Sequence, residues 1–294
     1  MSPFLLRKLL LETLVSRTRI LPFAFALILS GCGGDAPALS QFNVDEQISQ
    51  QQAVLVGMGK ETSRKLDALL WQRAAISGSS TGQIIESLSR EFLGTPYRGD
   101  TLKGSSDTPE QLVIDFSGVD CFTYLDYVEA ARKAVTKEGY VDQLVRTRYV
   151  DGEISFLRRR HFFTDWAYRQ QVLADDVTGA ISVHAVTLEK QLNKKADGGS
   201  YLPGLPVVKR NVTYIPSEFI DDKVISQLRT GDFIGIYAKA DGLDVTHVGF
   251  FVETDNGPVL RNASSKKANM RVVDSPFLEY VESSPGIVVL RPRV

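Results

Sequence analysis

Apolar positions change period along this chain. From 44 to 76 they recur at helical spacing, through Ile48, Val54, Leu55 and Met58 and then Leu66, Leu69, Leu70 and Ala74, which predicts two helices broken near 57–59. Ser79-Ser80-Thr81, followed by Gln83 and the stripe Ile84, Ile85, Leu88 and Phe92, carries a capping signal for a further helix that stops at Gly94, before Thr95-Pro96-Tyr97. Residues 112–116 form a short strand-like run. Cys121 then opens a helix with Leu125, Val128, Ala131 and Val135 on one face. The stretch 140–200 mixes basic and aromatic residues without a sustained period and reads as an insertion. The last third is β-rich, with runs at 232–237, 245–253, 259–262 and 287–290 separated by Gly, Asp and Asn turns. The pattern predicts an α+β architecture in which a helical layer packs on an antiparallel sheet.

The first 31 residues follow a different logic. Arg7, Lys8, Arg17 and Arg19 make a basic start, residues 20–29 are apolar apart from the interruption at Pro22, and Leu29-Ser30-Gly31-Cys32 follows. The run is too short to span a bilayer. Leu-Ser-Gly-Cys resembles the bacterial lipoprotein signal, which implies that 1–31 is removed and that Cys32 is acylated. Gly33 after the cysteine implies, by the same resemblance, outer-membrane sorting, so the expected location is the cell envelope, lipid-anchored and facing the periplasm. Residues 32–43, rich in Gly, Ala, Ser, Pro and Gln, read as a tether. Residues 44–78 read as a helical N-terminal segment and 79–294 as the catalytic domain.

Composition narrows the chemistry. The 294 residues hold 34 Lys+Arg against 35 Asp+Glu, and without 1–31 there are 30 basic against 34 acidic groups, so no basic footprint for nucleic acid exists. His161, His184 and His247 lie far from one another and from either cysteine, which argues against a structural zinc site; no metal or organic cofactor is expected. With Cys32 acylated, Cys121 has no disulfide partner and is either a buried small residue or a reactive thiol. A helix N-terminus stabilises a thiolate through its dipole and free N–H groups, and those groups can also hold an oxyanion. Asp120 opposes this by its charge unless it turns to cap the helix. The order Cys121, His247, Asn262, with the last two on successive strands, is that of a Cys-His-polar triad.

Six local sequences carry a closer likeness: Phe92-Leu-Gly-Thr-Pro-Tyr97, Val119-Asp-Cys-Phe-Thr-Tyr124, Arg160-His-Phe-Phe-Thr-Asp-Trp166, Leu228-Arg-Thr-Gly-Asp-Phe233, Leu243-Asp-Val-Thr-His-Val-Gly249 and Leu260-Arg-Asn-Ala-Ser-Ser265. In this order, over about 82–293, they resemble the NlpC-type papain-like cell-wall cysteine amidases, and within them the N-acetylmuramoyl-L-alanine amidase-like branch. The resemblance implies a papain-like fold with extra N-terminal helices, Cys121 as nucleophile and His247 as base. The third member falls at Asn262, where that branch usually carries His; a neutral Asn can orient an imidazole but not stabilise its charged form. Tyr97 is implied beside the nucleophile, and Asp165, Trp166 and Ser264 are candidate substrate contacts, each with a bland alternative as a helix cap, core filler or turn residue. The implied substrate is peptidoglycan or its muropeptides, cut at the amide between muramic acid and L-alanine. Two alternatives stay open: an endopeptidase cutting within the stem peptide, and a non-catalytic lipoprotein that binds peptidoglycan or a protein.

Overall fold

A computed structural model describes residues 57–294 of the chain. The leader, Cys32, the tether and the first of the two helices expected between 44 and 76 lie outside the described residues. Four longer helices come first: α1 (Lys60–Ala75), α2 (Thr81–Arg90), α3 (Cys121–Arg132) and α4 (Lys137–Arg148). Shorter ones follow at α5 (Asp165–Tyr168), α6 (Thr178–Ile181), α7 (Asp222–Gln227) and α8 (Phe277–Glu282). The strands are β1 (Ala174–Asp176), β2 (Val186–Leu192), β3 (Val208–Pro216), β4 (Phe233–Tyr237), β5 (Val245–Thr254), β6 (Gly257–Ser264), β7 (Arg271–Pro276) and β8 (Gly286–Pro292). They form one antiparallel sheet in the order β2-β3-β8-β4-β5-β6-β7, with β1 also paired to β8. The α+β architecture of helices on an antiparallel sheet is the one the pattern predicts.

The two faces of the sheet are both covered. Phe233, Tyr237, Val248, Phe250, Val288 and Leu290 pack under α1–α4, whereas their strand neighbours Ile234, Ile236, Phe251, Ile287 and Val289 pack with Val224, Phe277 and Val281 of α7 and α8. Strands buried on both faces read as unbroken apolar runs, which is why β4 and β8 were visible as runs rather than as alternations. Helix α3 is enclosed all round, with every residue from Thr123 to Arg132 buried. Its start is fixed by a reciprocal capping box, in which Asp120 accepts from the Thr123 N–H while Thr123 Oγ1 accepts from the Asp120 N–H. The expected cap of α2 is also present, between Ser80 and Gln83, and the chain leaves that helix through Gly94 at φ +81, a conformation that suits glycine.

Two expectations need correction. Residues 112–116 are not a strand: their backbone groups bond to side chains, Asp115 N–H to Tyr127 Oη at 3.1 Å, Phe116 N–H to Thr62 Oγ1 at 3.1 Å, and Val113 C=O to Arg148 Nη1 at 2.9 Å. The stretch from 140 is not wholly an insertion, because α4 places Tyr140, Val141 and Leu144 in the main core. Its charged residues dilute the period. Helix α1 packs into the domain as well. Leu66, Leu69 and Leu70 join the same core, and Lys137 reaches back to Asp67 and Ser63 at 2.9 and 2.8 Å.

Candidate functional site

Cys121 is the first residue of α3, where that helix meets β5. The N–H of Val248, next to His247 on β5, bonds toward the Cys121 sulfur, which sets the start of α3 against the strand that carries His247. Asn262 stands on β6, diagonal to His247 in a register set by Phe250 opposite Arg261. Its Oδ1 lies 3.0 Å from His247 Nε2. The orientation of the amide is determined by its other end: Nδ2 donates to Leu260 C=O at 2.9 Å and to Ser275 Oγ at 3.2 Å. Oδ1 is therefore an acceptor, His247 Nε2 must carry the proton, and Nδ1 is the basic nitrogen. Gly249 permits the close approach of these strands, since a Cβ there would meet the Arg261 carbonyl at 2.8 Å and Asn262 Cβ at 3.0 Å.

Tyr97 reaches the site through backbone pairing. Val119 N–H donates to Pro96 C=O and Arg98 N–H to Val119 C=O, each at 3.0 Å, which sets the Tyr97 segment beside the approach to Cys121. Burial raises the Tyr97 hydroxyl, and the charges of Cys121, Asp120 and Asp100 raise it further.

The electrostatics run against the expectation of an acidic thiol. Burial and then Asp120 push Cys121 up to about 12, partly offset by N–H groups of Val248, Cys121 and Phe122. Asp120 does cap the helix, taking the N–H groups of Phe122 and Thr123 at 3.0 and 2.7 Å, but in doing so it draws on the donors that would have stabilised a thiolate and adds a negative charge. His247 is lowered by burial and secondarily by Lys266, with Asn262 and Asp120 opposing. At rest the thiol and the imidazole are thus both neutral.

The other candidates take different places. Asp165 is buried, accepting from Arg210 Nη2 at 3.0 Å and from the Phe162 N–H at 3.2 Å, so it ties the 162–165 turn to β3. Trp166 is fully buried between the rings of Phe122 and Phe233. Neither is open to a substrate. Ser264 is also buried, and its Oγ accepts from Lys266 N–H and Asn269 Nδ2, each at 3.3 Å, which folds the turn after β6. Sequence reasoning missed Tyr280, whose ring stacks on His247 with centroids 6.1 Å apart at 25° and whose hydroxyl is raised by burial and the Cys121 charge. Nothing in the sequence near α8 signals it. On the Asp120 side, a cavity of about 470 Å³ is lined by Asp100, Leu102, Asp107, Asp120 and Phe156, among others. Among the described residues no three His, Cys, Asp or Glu side chains gather in a way that could hold a metal ion, and no helix is long and apolar enough to cross a membrane.

An enclosed helix carrying a thiol at its start, laid on an antiparallel sheet whose adjacent strands carry a hydrogen-bonded His and Asn, defines an α+β protein with the side chains for nucleophilic acyl transfer. Residues 87–287 match the family model described as AmiA-like, N-acetylmuramoyl-L-alanine amidase-like, and the chain belongs to that family. An N-acetylmuramoyl-L-alanine amidase from Bacteroides uniformis ATCC 8492, solved at 1.15 Å, is 28% identical, with a TM-score of 0.62 over 74% of this chain and 100% of that one. The Legionella pneumophila protein LPG0564, of the DUF1460 family, shares the fold at 24% identity, with a TM-score of 0.62 over 76% of this chain and 94% of its own. No curated protein matches the chain. Family and neighbours together support a cell-wall amidase and a peptidoglycan-type substrate.

Proposed function

We propose that the protein is a papain-like, NlpC-type cysteine amidase that hydrolyses the N-acetylmuramoyl-L-alanine bond of peptidoglycan or its muropeptides. The observation that carries the reading is the His247 Nε2 to Asn262 Oδ1 bond at 3.0 Å, which leaves Nδ1 as the basic nitrogen, on the strand whose Val248 N–H bonds toward the Cys121 sulfur. The thiol proton passes to His247 Nδ1 as sulfur attacks the amide carbonyl, so the ion pair forms during attack. The Cys121 N–H, which the Asp120 cap does not take, faces the developing oxyanion, with Tyr97 at its side. Imidazolium His247 protonates the leaving amine, the C–N bond breaks, and water then hydrolyses the thioester to regenerate the thiol. By the leader-like sequence 1–31 and Cys32, the enzyme is lipid-anchored in the envelope, probed by labelled-fatty-acid incorporation into Cys32.

The deciding experiment is mass spectrometry of defined muropeptides incubated with the full chain in detergent. Release of peptide beginning at L-alanine, with the free sugar, supports the amidase; cleavage inside the peptide replaces it with an endopeptidase. The raised thiol favours one other reading, a non-catalytic peptidoglycan-binding lipoprotein, and binding without cleavage would establish it.

Two outcomes follow from the pair. Because His247 is lowered, its basic form persists to lower pH, and the acid limb of kcat/KM lies below the ordinary imidazole value of 6.5. Asn262→Ala frees the ring and lowers kcat/KM by about 10²-fold, whereas Asn262→Asp keeps an acceptor for His247 Nε2–H, although it loses the donor to Leu260 C=O, and moves the acid limb up by stabilising the imidazolium. A pH–rate series on both variants checks each point.

A further inference from the structure

We propose that Lys266 binds a carboxylate carried on the leaving-amine side of the substrate, one or two residues beyond the scissile amide. The assignment rests on the amidase reading above and adds a specificity determinant to it.

Lys266 lies in the 264–270 turn, which is closed by its own carbonyl accepting from the N–H groups of Asn269 and Met270 at 2.8 and 3.0 Å and by the Ser264 hydroxyl. The turn holds its ammonium 4.2 Å from the centroid of the Tyr280 ring, the same ring that stacks on His247. The cation is therefore fixed on the histidine side of the site, close enough for its charge to act on the imidazole. It is exposed, and among the described residues it forms no ion pair, in contrast to Arg261 beside it in sequence, which is saturated by Asp274, Glu86 and Ser89. Asp120, the other charged group facing His247, is occupied by the α3 cap.

Chemistry supplies the direction. The group that protonates the leaving nitrogen is His247, so the chain attached to that nitrogen runs out over His247 and Tyr280. Two extended residues span about 7 Å, which brings an anionic group one or two residues along within reach of the Lys266 ammonium. The Asp100, Asp107 and Asp120 carboxylates line the cavity on the Asp120 side and repel the same group, so the site is polar end to end. Tyr280 serves as the rigid spacer that keeps the cation off the imidazole while offering it to the ligand.

The test pairs two muramoyl peptides, identical except that the residue after L-alanine carries a free α-carboxylate or the corresponding carboxamide, and measures KM and kcat with the full chain. Wild-type protein is expected to favour the carboxylate by about tenfold in kcat/KM, through KM. Lys266→Met erases that preference by raising KM for the carboxylate substrate alone, and Lys266→Arg retains most of it. Equal losses on both substrates, or a wild type that does not discriminate, overturn the assignment while leaving the amidase intact. Failure of wild-type protein to cleave either substrate removes the amidase reading and this assignment with it.

Discussion

On the proposed mechanism, Cys121→Ala is expected to abolish amide hydrolysis, lowering kcat by at least about 10³-fold, with the fold retained. Cys121→Ser is expected to be nearly as inactive, since a hydroxyl in the same place is a weaker nucleophile with the same neutral base. The state of the thiol makes a second, independent measurement available. Burial and Asp120 push it up to about 12, so alkylation by iodoacetamide is slow at pH 7 in the folded protein and accelerates as pH rises. Removing the nearby charge with Asp120→Asn speeds labelling, while retaining a side-chain acceptor for the helix N–H groups. The sign for stability follows from the same shift. A folded-state value raised above the ordinary 9.0 means that the folded protein holds this proton more tightly than the unfolded chain. Its contribution is complete below pH 9.0 and is lost as pH rises toward about 12. Denaturation curves for wild type and Cys121→Ala should diverge over that interval, with wild type losing more.

How far the sequence discloses this site depends on what kind of contact makes it. Cys121 and His247 are legible because each sits in a local pattern, a helix start and a β-run. Asn262 is legible by order along the chain. Of the acceptors that orient Asn262, Leu260 C=O lies on its own strand, and Ser275 Oγ depends on the pairing of β6 with β7, a strand too polar to stand out. Tyr280 and Lys266 lie on a short helix and in a turn with no period at all, and only the tertiary packing brings them to the imidazole. The edge hairpin β2–β3 escapes for the opposite reason from β4 and β8. Much of β2 is exposed, and the alternation of Val186, Leu188 and Leu192 is interrupted by Lys190. Asp165 and Trp166 were singled out by motif position, which says nothing of which way a side chain points, and both point inward.

Arg148→Met is expected to destabilise the protein by about 3–5 kcal/mol, the largest stability effect among these changes. Arg148 and Asp126 are both buried, joined Nε to Oδ2 at 2.8 Å across α4 and α3. Removing the guanidinium leaves a carboxylate enclosed on α3 with its partner gone, and it also strips the Val113 carbonyl, in the 112–116 segment, of one donor, leaving it the Tyr127 hydroxyl at 3.3 Å. That segment leads into Cys121, so activity falls along with stability. Burial already raises Asp126 with the arginine present, and Arg148 is what offsets it. Without Arg148 the carboxyl shifts further up, and the folded protein must take a proton at neutral pH. The penalty therefore grows as pH rises above the ordinary carboxylate value of 3.8 and shrinks as pH falls toward it. Urea titrations of wild type and Arg148→Met at pH 4.5 and 7.5 should show the smaller difference at the lower pH. The double variant Arg148→Met with Asp126→Leu recovers part of the loss, because two apolar groups of similar volume leave no charge unpaired. A double variant no more stable than Arg148→Met would mean that the Val113 tether, not the ion pair, carries the effect.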